Sequence, residues 1–251
     1  MIDKKIIVKD IPISYYISDN FDNQKTTFLF LHGRGQNGQS FQSIFNLMTQ
    51  DKLSFVSVDF PWFGNSPRPK STWWVQEYAE CIKEFISKIH LTKVICVGHS
   101  FGCRIAFELS ANNPDIFTQQ IAIWPAGIET KSLRVKTKIR IAKIVKTILP
   151  KAITDKAKKT MGSRDYKNAQ TMKDIFVKVI NYDQTKLFHK IKIPTTILRW
   201  TQDIEIPQKE INIMRSQIKH VKVVTFEGAS HFLFQEHPRQ VYEIIKKSLV
   251  S

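Results

Sequence analysis

Val94-Ile95-Cys96-Val97-Gly98-His99-Ser100-Phe101-Gly102 predicts a strand that turns sharply into a helix. Residues 94–97 are apolar and mostly β-branched, the pattern of a buried strand. Gly98 to Gly102 fits G-x-S-x-G, and residues 103–112 (CRIAFELSAN) read as a helix. Such a corner is strained, and Gly98 and Gly102 lack the Cβ atoms that would collide there. The Ser100 hydroxyl then stands above the strand end, over a helix N-terminus whose free N–H groups favour developing negative charge. In that setting the pentapeptide reads as a nucleophile elbow.

The chain on either side keeps the same rhythm. Residues 4–18 alternate apolar and polar around Pro12, which predicts an antiparallel edge pair. Residues 28–31 (FLFL) form an apolar strand that runs into the glycine-rich loop 32–38. Residues 41–48 form a short helix and residues 54–58 a strand ending at Asp59. A turn-rich loop follows at 60–69. Residues 73–90 show helical spacing, with Ser71 or Thr72 as N-cap. Residues 120–124 form another strand. Strands alternating with helices at this spacing imply parallel crossovers and a mostly parallel sheet.

The rhythm breaks at Pro125. No strand is legible from 128 to 190, whereas 133–149 reads as a basic helix with an apolar stripe at Ile141, Ile144, Val145 and Ile148. Residues 172–179 read as a second helix. The rhythm resumes with Thr195–Trp200, a helix at 208–218, Val221–Phe226 and a last helix at 238–249. The expected organisation is therefore an α/β core at 1–127 and 191–251, interrupted by a helical lid at 128–190.

A serine hydroxyl needs a base, and the base needs an orienting acid. In a parallel sheet these partners come from loops at the carboxyl ends of other strands. Asp203 follows the Thr195–Trp200 strand and His231 follows the Val221–Phe226 strand. Glu205 is a rival for the acid and His237 for the base, but Pro238 marks a helix start directly after His237. The chain order Ser100, Asp203, His231 is the order of an α/β-hydrolase fold rather than of the two common serine-protease arrangements.

On these residues the chain resembles the lid-bearing, single-domain esterases of the α/β-hydrolase superfamily. The likeness rests on LFLHGRG, VDFPWFGNS, VGHSFG, PTTILRWTQDIEIP and GASHFLFQEHP, in that order. It implies an α/β-hydrolase fold, a mostly parallel central sheet flanked by helices with an inserted helical lid. It implies Ser100 as nucleophile, His231 as general base and then acid, and Asp203 as the orienting carboxylate. It also implies an oxyanion hole from the backbone N–H groups of Phe101 and Arg34. Thr201 departs from the glycine usual there, and Cys103 from a frequent third glycine. Trp62, Trp124 and Phe232 are candidates to line an apolar acyl pocket, together with Trp73, Trp74 and Phe101, although core packing explains each of them too. His32 and His99 flank the chemistry and read as loop-packing residues.

Composition narrows the setting. Of the 251 residues 42% are hydrophobic, enough for one large core. The formal net charge is +16, and residues 128–190 hold 17 Lys/Arg against 5 Asp/Glu, so most of the excess falls there. That charge is either a solvated basic face or a surface for an acidic carrier protein or anionic substrate. Few aromatics are interleaved with these lysines, so no nucleic-acid partner is expected. No signal peptide or membrane span is legible. Cys81, Cys96 and Cys103 sit in apolar contexts and read as free thiols of a cytoplasmic protein. No phosphate loop, dinucleotide fingerprint or metal-ligand spacing is present, so neither cofactor nor metal is expected. The leading expectation is hydrolysis of a small or medium acyl ester through an acyl-enzyme. A thioesterase acting on an acidic carrier, a carbon–carbon bond hydrolase of a keto-acid with Arg140 or Arg164 on its carboxylate, and a non-catalytic binding protein are the alternatives.

Overall fold

The computed structural model describes residues 1–128, 179, 181–201, 207–227 and 233–249. Among them eight strands form one sheet, in the order β1-β2-β4-β3-β5-β6-β7-β8. These are β1 (Ile2–Val8), β2 (Ile11–Ile17), β3 (Thr26–Leu31), β4 (Phe55–Val58), β5 (Lys93–His99), β6 (Gln119–Ile123), β7 (Thr195–Trp200) and β8 (Val221–Phe226). β1 and β2 pair antiparallel, β2 meets β4 antiparallel, and all further pairs are parallel. Pro12 lies in β2 opposite Ile7, within the antiparallel hairpin expected around it.

The apolar runs explain the centre of the sheet. Phe28, Phe30 and Leu31 of β3 and Val97 of β5 are fully buried, because helices cover both faces there. Burying each such side chain contributes about 1.5–3 kcal/mol. β1 is the exposed edge by contrast, with Ile7 62% exposed.

The helices are α1 (Gln42–Gln50), α2 (Val75–Lys88), α3 (Phe101–Asn112), α4 (Thr185–Phe188), α5 (Gln208–Gln217), α6 (Leu233–Glu236) and α7 (Pro238–Lys247), with a 3-10 turn at Gly38–Phe41. α1 packs against α6 and α7, and α2 packs against α3. α2 begins two residues later than the sequence suggests. Its first turn is capped not by Ser71 or Thr72 but by Glu77, whose carboxylate accepts the Trp74 N–H at 2.7 Å. No helix among the described residues is long and apolar enough to cross a membrane.

The lid expected at 128–190 lies mostly outside the described residues, including the helices at 133–149 and 172–179 apart from Val179. The chain leaves and re-enters the core at one place, where the Gln184 N–H donates to the Gly127 carbonyl at 2.8 Å. The return is tied to α3 by a buried polar cluster. Arg104 donates to the Tyr182 carbonyl at 2.5 Å, the Tyr182 hydroxyl donates to Glu108 at 2.9 Å, and Gln184 donates to the Arg104 carbonyl at 2.8 Å. The three cysteines are free and buried, and burial pushes all three thiols up.

The topology locates the site. From β3 the chain crosses through α1 to β4 on one side, whereas from β5 it crosses through α3 to β6 on the other. Right-handed crossovers in opposite directions place α1 and α3 on opposite faces. The two connections therefore diverge beyond the carboxyl ends of β3 and β5, which is where such a fold opens a crevice.

Candidate active site

Ser100 sits at that crevice, between β5 and α3, with φ 47° and ψ −102°. This left-handed backbone is costly for a residue with a Cβ and persists only when its surroundings enforce it. The enforcement is visible. The Ser100 N–H donates to the Ile123 carbonyl of β6 at 3.1 Å, and the Ser100 carbonyl accepts from the Cys103 N–H at 3.1 Å. A Cβ on Gly98 would stand 3.0 Å from the Cys103 nitrogen, and one on Gly102 only 2.0 Å from the Leu31 carbonyl oxygen. Helix α3 can start directly on the end of β5, and lie against β3, only because both positions lack a side chain.

Phe101 opens α3, so its N–H is one of the unpaired donors of the helix N-terminus. Its ring is buried against Phe60, Phe63 and Tyr78, with centroids 5.5, 6.2 and 5.1 Å away. Arg34 is in the exposed part of the loop that leaves β3.

That loop is fastened at both ends. At the near end His32 is fully buried. The Phe60 N–H donates to its Nε2 at 3.1 Å, which leaves the proton on Nδ1 to donate to the Gly33 carbonyl at 2.7 Å. Charging this ring would place a cation in the core, so burial lowers its pKa to about 4 and it stays neutral. At the far end the buried Asp59 carboxylate accepts from the Gly38 N–H at 2.6 Å, the Asn65 N–H at 2.7 Å and the Tyr16 hydroxyl at 3.3 Å. Asp59 holds the turn after β4, as its position suggests, and braces the loop after β3 as well.

Aromatic rings cluster along the strand ends. Trp124 directly follows β6, is 4% exposed, and stacks on Trp200 of β7 at 5.1 Å and 12°. It also lies parallel to His99, with centroids 6.4 Å apart and planes at 16°. Phe234 of α6 packs edge-on against His99 at 4.9 Å. Trp62 belongs to the turn after β4, half-buried beneath the Arg68 guanidinium at 4.8 Å. The structure thus brings Ser100, Phe101 and Trp124 together at the ends of β5 and β6 and puts Arg34 in the loop after the neighbouring β3, while Trp62 stands at the end of a strand two places from β5.

Asp203, His231, Phe232 and the rival Glu205 lie outside the described residues. Their flanks are placed. Trp200 and Phe226, the last residues of β7 and β8, are register partners, so the loops bearing Asp203 and His231 start side by side. His237 precedes α7 and its carbonyl accepts the Val241 N–H at 3.1 Å, as a helix start requires. Sequence reasoning passed over three residues around the elbow. Trp200 and Phe234 could have been found from their places at a strand end and beside the His231 loop, but nothing in the sequence marked Gln36.

The sequence profile of the α/β hydrolase fold matches residues 26–162. The chain belongs to this family. This hydrolase is 23% identical to the AB hydrolase superfamily protein YisY of Bacillus subtilis, over 86% of this chain and 89% of that one. Its fold is similar to an esterase from Exiguobacterium antarcticum, with a TM-score of 0.77, 18% identity and complete coverage of both chains. It is also similar to a membrane phospholipase A described as a bacterial virulence factor, with a TM-score of 0.80 and 21% identity over 99% of this chain and 85% of that one. The chain is therefore an enzyme of the hydrolase class.

Proposed function

We propose that this hydrolase is a cytoplasmic serine esterase that cleaves a small or medium acyl ester through an acyl-enzyme. The observation that carries the reading is Ser100 in its strained corner at the mouth of the crevice, above the N-terminus of α3. Ser100 Oγ attacks the ester carbonyl while His231 accepts its proton, oriented by Asp203. The N–H groups of Phe101 and Arg34 receive the oxyanion. His231 then protonates the departing alcohol, and water, activated by the same imidazole, releases the acid and frees Ser100. Asp203 lies three residues beyond Trp200 and His231 five beyond Phe226, spans of about 10 and 17 Å when extended. Each oxyanion donor contributes roughly 3–4 kcal/mol in such sites. Trp124 supports an apolar acyl pocket, with Trp62 and Phe232 on its other sides and the segment 128–190 as its lid. An esterase of the same fold agrees with this reading.

The test is labelling by a fluorophosphonate together with turnover of p-nitrophenyl esters of graded length. Ser100→Ala abolishes both and His231→Ala removes most turnover, whereas His237→Ala leaves turnover intact. Labelling of Ser100→Ala at the wild-type rate overturns the assignment. The basic charge of residues 128–190 favours one further substrate form, an acyl thioester on an acidic carrier protein. Its turnover would fall with salt, since screening acts over about 8 Å at physiological ionic strength, and a neutral ester's would not.

A further inference from the structure

The loop after β3 is fastened at its ends by His32 and Asp59, but the donor assigned to the oxyanion hole lies between them. The middle of the loop has a fastening of its own. Gln36 Oε1 accepts the Gly33 N–H at 2.8 Å, and the Gln36 N–H donates back to the Gly33 carbonyl at 3.2 Å. Because Gly33 presents a donor, it is the amide oxygen of Gln36 that faces it. The same oxygen lies 2.8 Å from Nδ1 of His99, so that nitrogen carries the proton and donates. His99 immediately precedes Ser100. Contact is so close that a Cβ on Gly33 would stand 2.5 Å from His99 Nδ1 and 2.6 Å from Gln36 Oε1.

The consequence is geometric. A peptide is planar, and its C=O and N–H point in opposite directions. The Gly33 carbonyl is held by His32 Nδ1–H and the Gln36 N–H, so the plane of the Gly33–Arg34 peptide is set and the Arg34 N–H is aimed away from both. The Gln36 N–H holds that plane from the loop side, while the Gln36 side-chain oxygen holds the N–H of the preceding peptide and, through His99, refers Gly33 to the strand end that carries Ser100.

We propose that Gln36 is a positioning residue: its side-chain oxygen, held by His99 Nδ1–H and Gly33 N–H, locks the Arg34 N–H at a fixed place relative to Ser100. This rests on the reading of Ser100 as nucleophile and Arg34 as oxyanion donor. A transition-state donor displaced by even an ångström loses much of its effect, while binding of the neutral ester is little changed.

The experiment uses p-nitrophenyl acetate as substrate and a phenylboronic acid as the tetrahedral, oxyanion-bearing mimic. Gln36→Ala lowers kcat by about tenfold to a hundredfold with KM within about twofold, and raises the boronate inhibition constant in parallel. Gln36→Glu, which keeps an acceptor for both N–H groups, restores most of the loss. His99→Phe keeps the ring but not the donor. It lowers kcat similarly, and combining it with Gln36→Ala adds little, as expected of two residues in one link. Should Gln36→Ala fail to fold, His99→Phe carries the same test. Wild-type kcat and boronate affinity in Gln36→Ala, beside an inactive Ser100→Ala, overturn the positioning role alone. So does a fall in melting temperature with no change in boronate affinity. Turnover by Ser100→Ala overturns the nucleophile and this inference together.

Discussion

The loop after β3 and the turn after β5 face each other across one crevice and are held by different physics. The loop is tied by side chains that bond to its backbone: His32 and Gln36 on Gly33, and Asp59 on Gly38. The turn is held chiefly by backbone and close packing. Its shape comes from strand β5 running directly into α3, from the bond of Ser100 to Ile123, and from the missing Cβ atoms of Gly98 and Gly102. Polar ties fail when a donor or acceptor is removed or charged, whereas a close-packed corner fails when an atom is added.

The largest effect is expected at the corner. Gly102→Ala would drive a Cβ to 2.0 Å from the Leu31 carbonyl oxygen and 2.5 Å from its carbon, both in the backbone of a central strand. Neither can swing aside, so the variant should lose about 3 kcal/mol or more, read from its urea midpoint. A loss below about 1 kcal/mol would show that α3 and β3 separate freely and that the corner is not held by contact.

The polar ties should answer to pH instead. His32 titrates near 6.5 when unfolded and near 4 in the fold, because burial disfavours its charged form. Between those values the unfolded chain binds a proton that the native one does not. His32 therefore contributes stability above pH 6.5 that is lost as pH falls toward 4, by about 3 kcal/mol. Urea titrations at intervals across that window should show a shallower decline in His32→Gln than in the wild type. Parallel curves would mean that the buried imidazole is not the group responsible.

The smallest effect has the opposite sign. Ser100→Gly removes the Cβ that makes φ 47° costly, so it should raise stability by about 1 kcal/mol while abolishing turnover. Thermal melts of the two proteins decide it. A destabilised Ser100→Gly would mean that the serine side chain itself supports the turn.

The two sides of the crevice also differ in how far they were legible beforehand. G-x-S-x-G between an apolar run and a helical pattern announces the corner because close packing restricts residue type at fixed local spacing. The strands were legible as well: the mostly buried β7 and the half-buried β8 both have the bounds expected for them. The start of α2 was not, because its cap comes from Glu77 inside the helix rather than from a hydroxyl before it. Gln36 was a polar residue in a glycine-rich loop, and its partner His99 is 63 positions away in the chain.

By itself, then, the sequence determined the order of strands and helices, the corner at Ser100, and the membership of the α/β hydrolase fold family. These follow from period, from residue size and from local turn chemistry, all of which act over a few neighbours. Only the tertiary structure decided that the β3 and β5 ends open into one crevice, that Trp124 stacks between His99 and Trp200, and that Asp59 and Gln36 steady the loop bearing Arg34. A hydrogen bond between distant residues constrains neither one's sequence neighbourhood, so it becomes visible only when the sheet has brought the two together.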